Sequence, residues 1–135
     1  MNVFLSYAHS DERVAQSIAE GLKRVGLNVW YDRQILPGSD WADQVSRALR
    51  QADAMVVLVS PGAAASKQVH WEIDYALGQT AFKNRLIPVI IGPPNKIPRK
   101  EFPWILWELQ AVTVPERGNQ EPGIRQIAQA LQKAA

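Results

Sequence analysis

Apolar residues along this chain fall into short unbroken runs, separated by stretches in which they recur every three or four positions. Val3 to Tyr7 is such a run, halted by the polar His9-Ser10-Asp11, and it predicts a strand leading into a helix N-terminus. Val14, Ile18, Leu22 and Val25 then follow at spacings of four, four and three, which is one face of a helix. Gly26 stands where a left-handed C-cap is wanted, and Leu27 to Tyr31 predicts a second strand.

The same alternation continues to the end. Asp32 to Ser39 contains the turn signature Leu36-Pro37-Gly38, and Ser39 can cap a helix in which Trp41, Val45 and Leu49 recur every four residues. Ala54 to Val59 is continuously apolar, as a central parallel strand covered on both faces should be, and it stops at Ser60-Pro61-Gly62. A helix is predicted from Lys67 to Phe82, with Val69, Ile73, Ala76 and Leu77 on one face. Leu86 to Ile91 predicts a fourth strand; Pro88 cannot donate to a ladder, which implies a bulge or a place near a sheet edge. Gly92 to Pro103 is proline-rich and irregular, Ala111 to Val114 reads as a short edge strand, and Ile124, Ile127, Ala128 and Leu131 mark a last helix.

Strands alternating with helices predict a doubly wound α/β fold: one domain over residues 1–135, with a five-stranded parallel sheet in flavodoxin-like order 2-1-3-4-5 and helices on both faces. In such a sheet, ligands bind beyond the carboxyl ends of the strands, at the switch point beside strands one and three. The loops expected there are Ala8 to Asp11 and Ser60 to Ser66.

Composition narrows the chemistry. Fifteen Lys and Arg against thirteen Asp and Glu leave a net charge of +2, scattered rather than striped, so no nucleic-acid groove is expected. There is no cysteine, which excludes disulfides, thiolate nucleophiles and Cys-based zinc sites. The only histidines are His9 and His70, without metal-ligand spacing, so no metal is expected. The apolar run at the N-terminus is too short for a signal peptide or membrane span, and a cytoplasmic protein with no membrane partner is expected.

Several switch-point chemistries fail on the residues present. A phosphoacceptor receiver would need carboxylates where Tyr7-Ala8-His9 and Ser60-Pro61 stand, and neither GxGxxG nor GxxxxGK[ST] occurs. Ser60-Pro61-Gly62 is no nucleophile elbow. What remains is a carboxylate: Gln68, Glu72, Tyr75 and Gln79 form a polar stripe beside the apolar face of the helix predicted from Lys67. Side chains lean toward a helix N-terminus, so Glu72 should point back at the crevice. Such an acidic residue also complements the helix dipole, by about 0.3 to 1 kcal/mol, without any catalytic role.

Three stretches in register resemble the TIR (Toll/interleukin-1 receptor) family, bacterial-type. They are Val3-Phe4-Leu5-Ser6-Tyr7 followed by Asp11 and Glu12; Val29-Trp30-Tyr31-Asp32 continuing through Leu36-Pro37-Gly38 to Trp41, similar to the family's BB loop; and Leu58-Val59-Ser60-Pro61-Gly62, then Ser66 and Trp71-Glu72-Ile73. The family contains enzymes that cleave the bond between nicotinamide and ribose in NAD, and non-catalytic adaptors. In the enzymes the key residue is a glutamate on the helix that Glu72 occupies here. The resemblance therefore implies an NAD glycohydrolase or ADP-ribosyl cyclase, with NAD as substrate and no cofactor, serving immune or antiphage signalling or acting as an effector. One departure stands out: enzymatic relatives often carry tryptophan four residues before the glutamate, where this chain has Gln68, with Trp71 adjacent to Glu72 instead.

The implied substrate contacts are Tyr7, His9, Trp41, Ser66 and Gln68, each with an ordinary structural role beside it. Trp41 belongs equally to the Trp41, Val45, Leu49 core face, His9 suits a solvent-facing loop, and Ser60 and Ser66 suit helix caps. Trp104 and Trp107, with Phe102, Ile105 and Leu106, read as core cover, with an exposed assembly patch as the alternative. The Gln34–Asp40 loop implies contacts with other TIR domains, in a homo-oligomer or filament. Two further readings stay open: a non-catalytic TIR module acting only through TIR–TIR self-association, and a nucleotide sensor without turnover.

Overall fold

The computed structural model describes residues 1–31, 41–79, 82 and 85–134, so Ser39 and the Gln34–Asp40 loop lie outside the described residues, as does the Trp41 side chain. Five strands, β1 (Asn2–Ser6), β2 (Asn28–Trp30), β3 (Ala54–Val59), β4 (Leu86–Ile91) and β5 (Val112–Val114), pair in parallel in the order 2-1-3-4-5. The helices are α1 (Glu12–Arg24), α2 (Trp41–Gln51), α3 (Pro61–Ala64), α4 (Lys67–Leu77) and α5 (Glu121–Ala134).

Strand alternation sorts the core into two layers. Val3, Leu5 and Tyr7 pack with Val14, Ile18 and Leu22 of α1 and Ile124, Ile127 and Leu131 of α5 on one face. Phe4 and Ala8 pack with Val45 and Leu49 of α2 and with Val69 and Ile73 of α4 on the other. β3 lies between them with all six residues buried, which is why it reads as an unbroken apolar run.

Local chemistry sets the helix ends. At the end of α1, Gly26 has φ +93°. Its N–H donates to Lys23 O at 3.0 Å, and that of Leu27 donates to Leu22 O at 3.2 Å, a Schellman motif. Val25 is thereby the C-cap and is 51% exposed rather than part of the buried face. The helix expected to reach Phe82 ends instead at Leu77: Gly78, a poor helix former, caps it, and its N–H donates to Asp74 O at 3.2 Å. Phe82 is still buried.

Pro88 is not bulged; it pairs in register with Val57, and β4 lies near the sheet edge, next to the outermost strand β5. The Gly92 N–H donates to Val114 O at 2.9 Å. Counting back in twos directs the Pro88 nitrogen to the β5 side, below the point where Val89 first pairs with Val112, so no ladder donor is missed. The late aromatic cluster is split. Phe102 and Leu106 are buried, whereas Trp104 is 73% and Ile105 39% exposed. Trp107 is held by Arg99, whose guanidinium stacks 4.5 Å from the ring centroid and whose carbonyl accepts from the indole N–H at 3.2 Å. Among the described residues no helix is long and apolar enough to cross a membrane.

Candidate active site

Among the described residues Glu72 is the one buried carboxylate. It lies on the inner side of α4 among Val69, Ile73 and Ala76, and it is 1% exposed. Ser66 starts α4: its Oγ accepts the Val69 N–H at 3.2 Å, an N-cap that aims the helix and so the glutamate. The Glu72 carboxylate meets the carboxyl end of β1. Ser6 Oγ donates to Oε1 at 2.6 Å, and Gln68 Nε2 donates to Oε2 at 3.3 Å. Taking a carboxylate out of water costs several kcal/mol unless donors replace the lost solvent, and here two neutral donors do so.

Gln68 also lines a groove of about 350 Å³ between α2 and α4, with Ala42, Val45, Ser46, Lys67 and Trp71. Its walls are mostly apolar. Trp71 is 49% exposed, and its ring lies 6.2 Å from that of Tyr75. A flat aromatic group can therefore be covered by Trp71 within reach of the residue that touches Glu72.

The two switch-point loops are joined beside this site. The Ser60 hydroxyl donates to Asp11 Oδ2 and accepts the Ala63 N–H at 3.0 Å, which caps α3. Burial pushes the Asp11 carboxyl above its ordinary value, the Glu116 charge adds to this, and the Ser60 hydrogen bond opposes it.

The structure thus brings together Glu72 and Gln68, with Ser66 at the start of their helix. It does not bring Tyr7 to them: the ring is buried on the opposite face of the sheet, in the layer of α1 and α5, with Tyr31 at 6.4 Å. His9 is exposed on the 3-10 turn that follows β1. Trp41 opens α2. Ser6 was not singled out by sequence reasoning, although it is the one buried polar residue of β1, on the row that faces α4. Among the described residues no cluster of three or more His, Asp or Glu could hold a metal ion.

A doubly wound parallel domain with a buried glutamate behind its switch point is the class defined by these features. The sequence profile of the TIR domain matches residues 3–128. The chain belongs to the TIR domain family. Over 100 residues it is 34% identical to the NAD(+) hydrolase ApTIR of Actinoplanes sp., an alignment covering 66% of this chain and 14% of that protein. The chain therefore spans about a seventh of that relative's length. Among solved structures, the metazoan TIR-STING receptor of C. gigas, in complex with 2',3'-cGAMP, superposes with a TM-score of 0.77 at 21% identity, covering 96% of this chain and 38% of that one. The TIR domain of the Toll-related receptor TRR-2 of Hydra magnipapillata superposes with a TM-score of 0.66 at 20% identity, covering 82% of each. These two likenesses are of fold.

Proposed function

We propose that this TIR domain cleaves the N-glycosidic bond between nicotinamide and ribose in NAD, with Glu72 as the catalytic carboxylate. The observation that carries the reading is the Glu72 side chain itself, 1% exposed yet hydrogen-bonded through both oxygens at the carboxyl end of β1. The hydrolase named for the Actinoplanes relative supports it.

The chemistry suits a fixed anion better than a proton donor. As the C1'–N bond breaks, the electron pair goes to the pyridinium, and nicotinamide leaves neutral without protonation. The ribose becomes oxocarbenium-like, and a nearby carboxylate stabilises that cation and accepts hydrogen bonds from the ribose hydroxyls. Water then adds to C1' and loses a proton, giving ADP-ribose; attack by a nucleophile within the same molecule gives a cyclic isomer instead. Gln68 contacts the ribose side, and the Trp71 groove takes an aromatic base. Tyr7, His9, Trp41 and Ser66 remain candidate contacts from the family resemblance, and the Gln34–Asp40 loop a candidate for TIR–TIR assembly in immune or effector signalling.

Nicotinamide release from NAD, followed by chromatography at low and high protein concentration for the native chain and Glu72→Ala, tests the reading. Release that vanishes in the variant supports the enzyme and identifies its product. No release at any concentration from folded, self-associating protein overturns it in favour of a non-catalytic module.

A further inference from the structure

Ser6 and Gln68 donate to Glu72 unequally. Ser6 is 1% exposed, ends β1 next to the central strand, and donates to Oε1 at 2.6 Å within the protein interior. Gln68 donates to Oε2 at a longer 3.3 Å, in a partly buried contact, from a side chain that also borders the groove. One edge of the carboxylate is therefore anchored to the sheet by a short side chain with a single rotatable bond. The other edge is touched by Gln68, the residue that borders the groove.

We propose that Ser6 is a positioning residue, fixing the Oε1 edge of Glu72 and so the orientation of the carboxylate toward a ribosyl substrate that reaches it from the Gln68 side. The inference rests on the reading of Glu72 as the catalytic carboxylate. A carboxylate on a glutamate side chain has three torsions to settle. A small misplacement of a charge-stabilising group lowers the rate even when binding persists. Ser6 removes that freedom from outside α4, through a contact sixty-six residues distant in sequence that helix geometry alone would not supply. A ribose hydroxyl can displace the long Gln68 contact, because an O–H···O⁻ bond of about 2.5 to 2.7 Å is the stronger of the two. It gains nothing by displacing Ser6, whose bond is already of that kind.

The test is steady-state kinetics of nicotinamide release from NAD for the native chain, Glu72→Gln, Ser6→Ala and Ser6→Thr, at a temperature below every variant's melting midpoint. Loss of the hydroxyl in Ser6→Ala should lower kcat about 10- to 100-fold, the range seen when a ligand-orienting partner is removed, with KM within about twofold. Ser6→Thr restores the hydroxyl and should recover most of kcat. A folded Ser6→Ala protein with kcat within about twofold of native overturns the inference while leaving Glu72 in place. If Ser6→Ala does not fold, Ser6→Cys, close in volume but a weak donor, carries the same comparison with the same two outcomes. A native chain without activity, or a fully active Glu72→Gln, overturns the functional reading itself and Ser6 with it.

Discussion

The Ser60 hydroxyl donates to the Asp11 carboxylate, tying the loop after β3 to the turn after β1 across the topological switch point. This clasp makes the pH dependence of stability predictable in sign. Burial, aided by the Glu116 charge, raises the folded-state Asp11 carboxyl above 3.8, against the pull of the Ser60 hydrogen bond. The native state then binds the proton more tightly than the unfolded chain, so Asp11 lowers stability as pH rises from about 3.8 through its folded value. Above that interval the ionised form is a standing cost. Asp11→Asn keeps an acceptor for Ser60 and removes the charge. It should melt at higher temperature than the native chain at neutral pH, the difference closing below about pH 3.8. The gain will be small, because the α1 dipole favours an anion there by roughly 0.3 to 1 kcal/mol. Circular-dichroism melts across this range decide it; a lower neutral-pH midpoint for Asp11→Asn would mean the charged hydrogen bond outweighs burial.

Glu72→Gln is nearly isosteric and keeps an oxygen for Ser6, so it isolates the charge. Removing one electrostatic stabiliser of a transition state costs on the order of 10²- to 10³-fold in kcat, and that loss is expected here for nicotinamide release, with a melting midpoint close to native. Preserved turnover would exclude the charge as the catalytic agent.

Trp71 is half-exposed, and its contacts are the groove and Tyr75, so truncation removes cover for a ligand more than it removes core. Trp71→Ala should weaken binding of NAD by about 1 to 3 kcal/mol, the worth of one base stacked on an aromatic ring, while changing stability little. Isothermal titration on Glu72→Gln, whose turnover is expected to be slow, measures this directly. Equal affinity with and without the indole would place the base elsewhere.

The fold was legible because its two periodicities differ so sharply: the unbroken Ala54–Val59 run and the four-residue spacing of Val45 and Leu49 admit few other readings. Glu72 was legible as a polar residue beside an apolar helical face. Ser6 was not, since its meaning depends on β1 and α4 meeting across sixty-six residues of chain. Pro88 told only half of its story: it pointed to a place near the edge, but that its missing donor is harmless depends on β5 beginning to pair at Val112. α3, four residues long, is too short to show a period, and the 3-10 segment around Trp104 has none to show.

That segment offers a sharp contrast in stability. Leu106 is fully buried and Trp104 is 73% exposed, although the tryptophan is the larger and more hydrophobic side chain. Leu106→Ala should cost about 2 to 5 kcal/mol through lost burial and a residual cavity. Trp104→Ala should stay within about 0.5 kcal/mol, as exposed sites do. Urea denaturation with unchanged slope distinguishes the two, and a large loss at Trp104 would place that ring in a contact it does not make here.

Gly123 sets two known effects against each other. It lies in the first turns of α5, where alanine is normally favoured over glycine by about 1 kcal/mol. Yet a Cβ there would stand 2.3 Å from Val114 Cγ1 and 3.5 Å from the Thr113 carbonyl. Val114 is fully buried on β5, and a β-branched side chain has little rotamer freedom with which to yield. Overpacking of this kind costs about 1 to 3 kcal/mol, so the clash should prevail and Gly123→Ala should be destabilised by up to about 2 kcal/mol. Gly62→Ala is the control: its Cβ would approach Ser10 Oγ at 2.2 Å, but that is the tip of an exposed side chain that can rotate away. Denaturation of both variants beside the native chain tests the argument. A Gly123→Ala protein as stable as the native one would mean that α5 can move off β5, and that their close approach does not depend on the missing side chain.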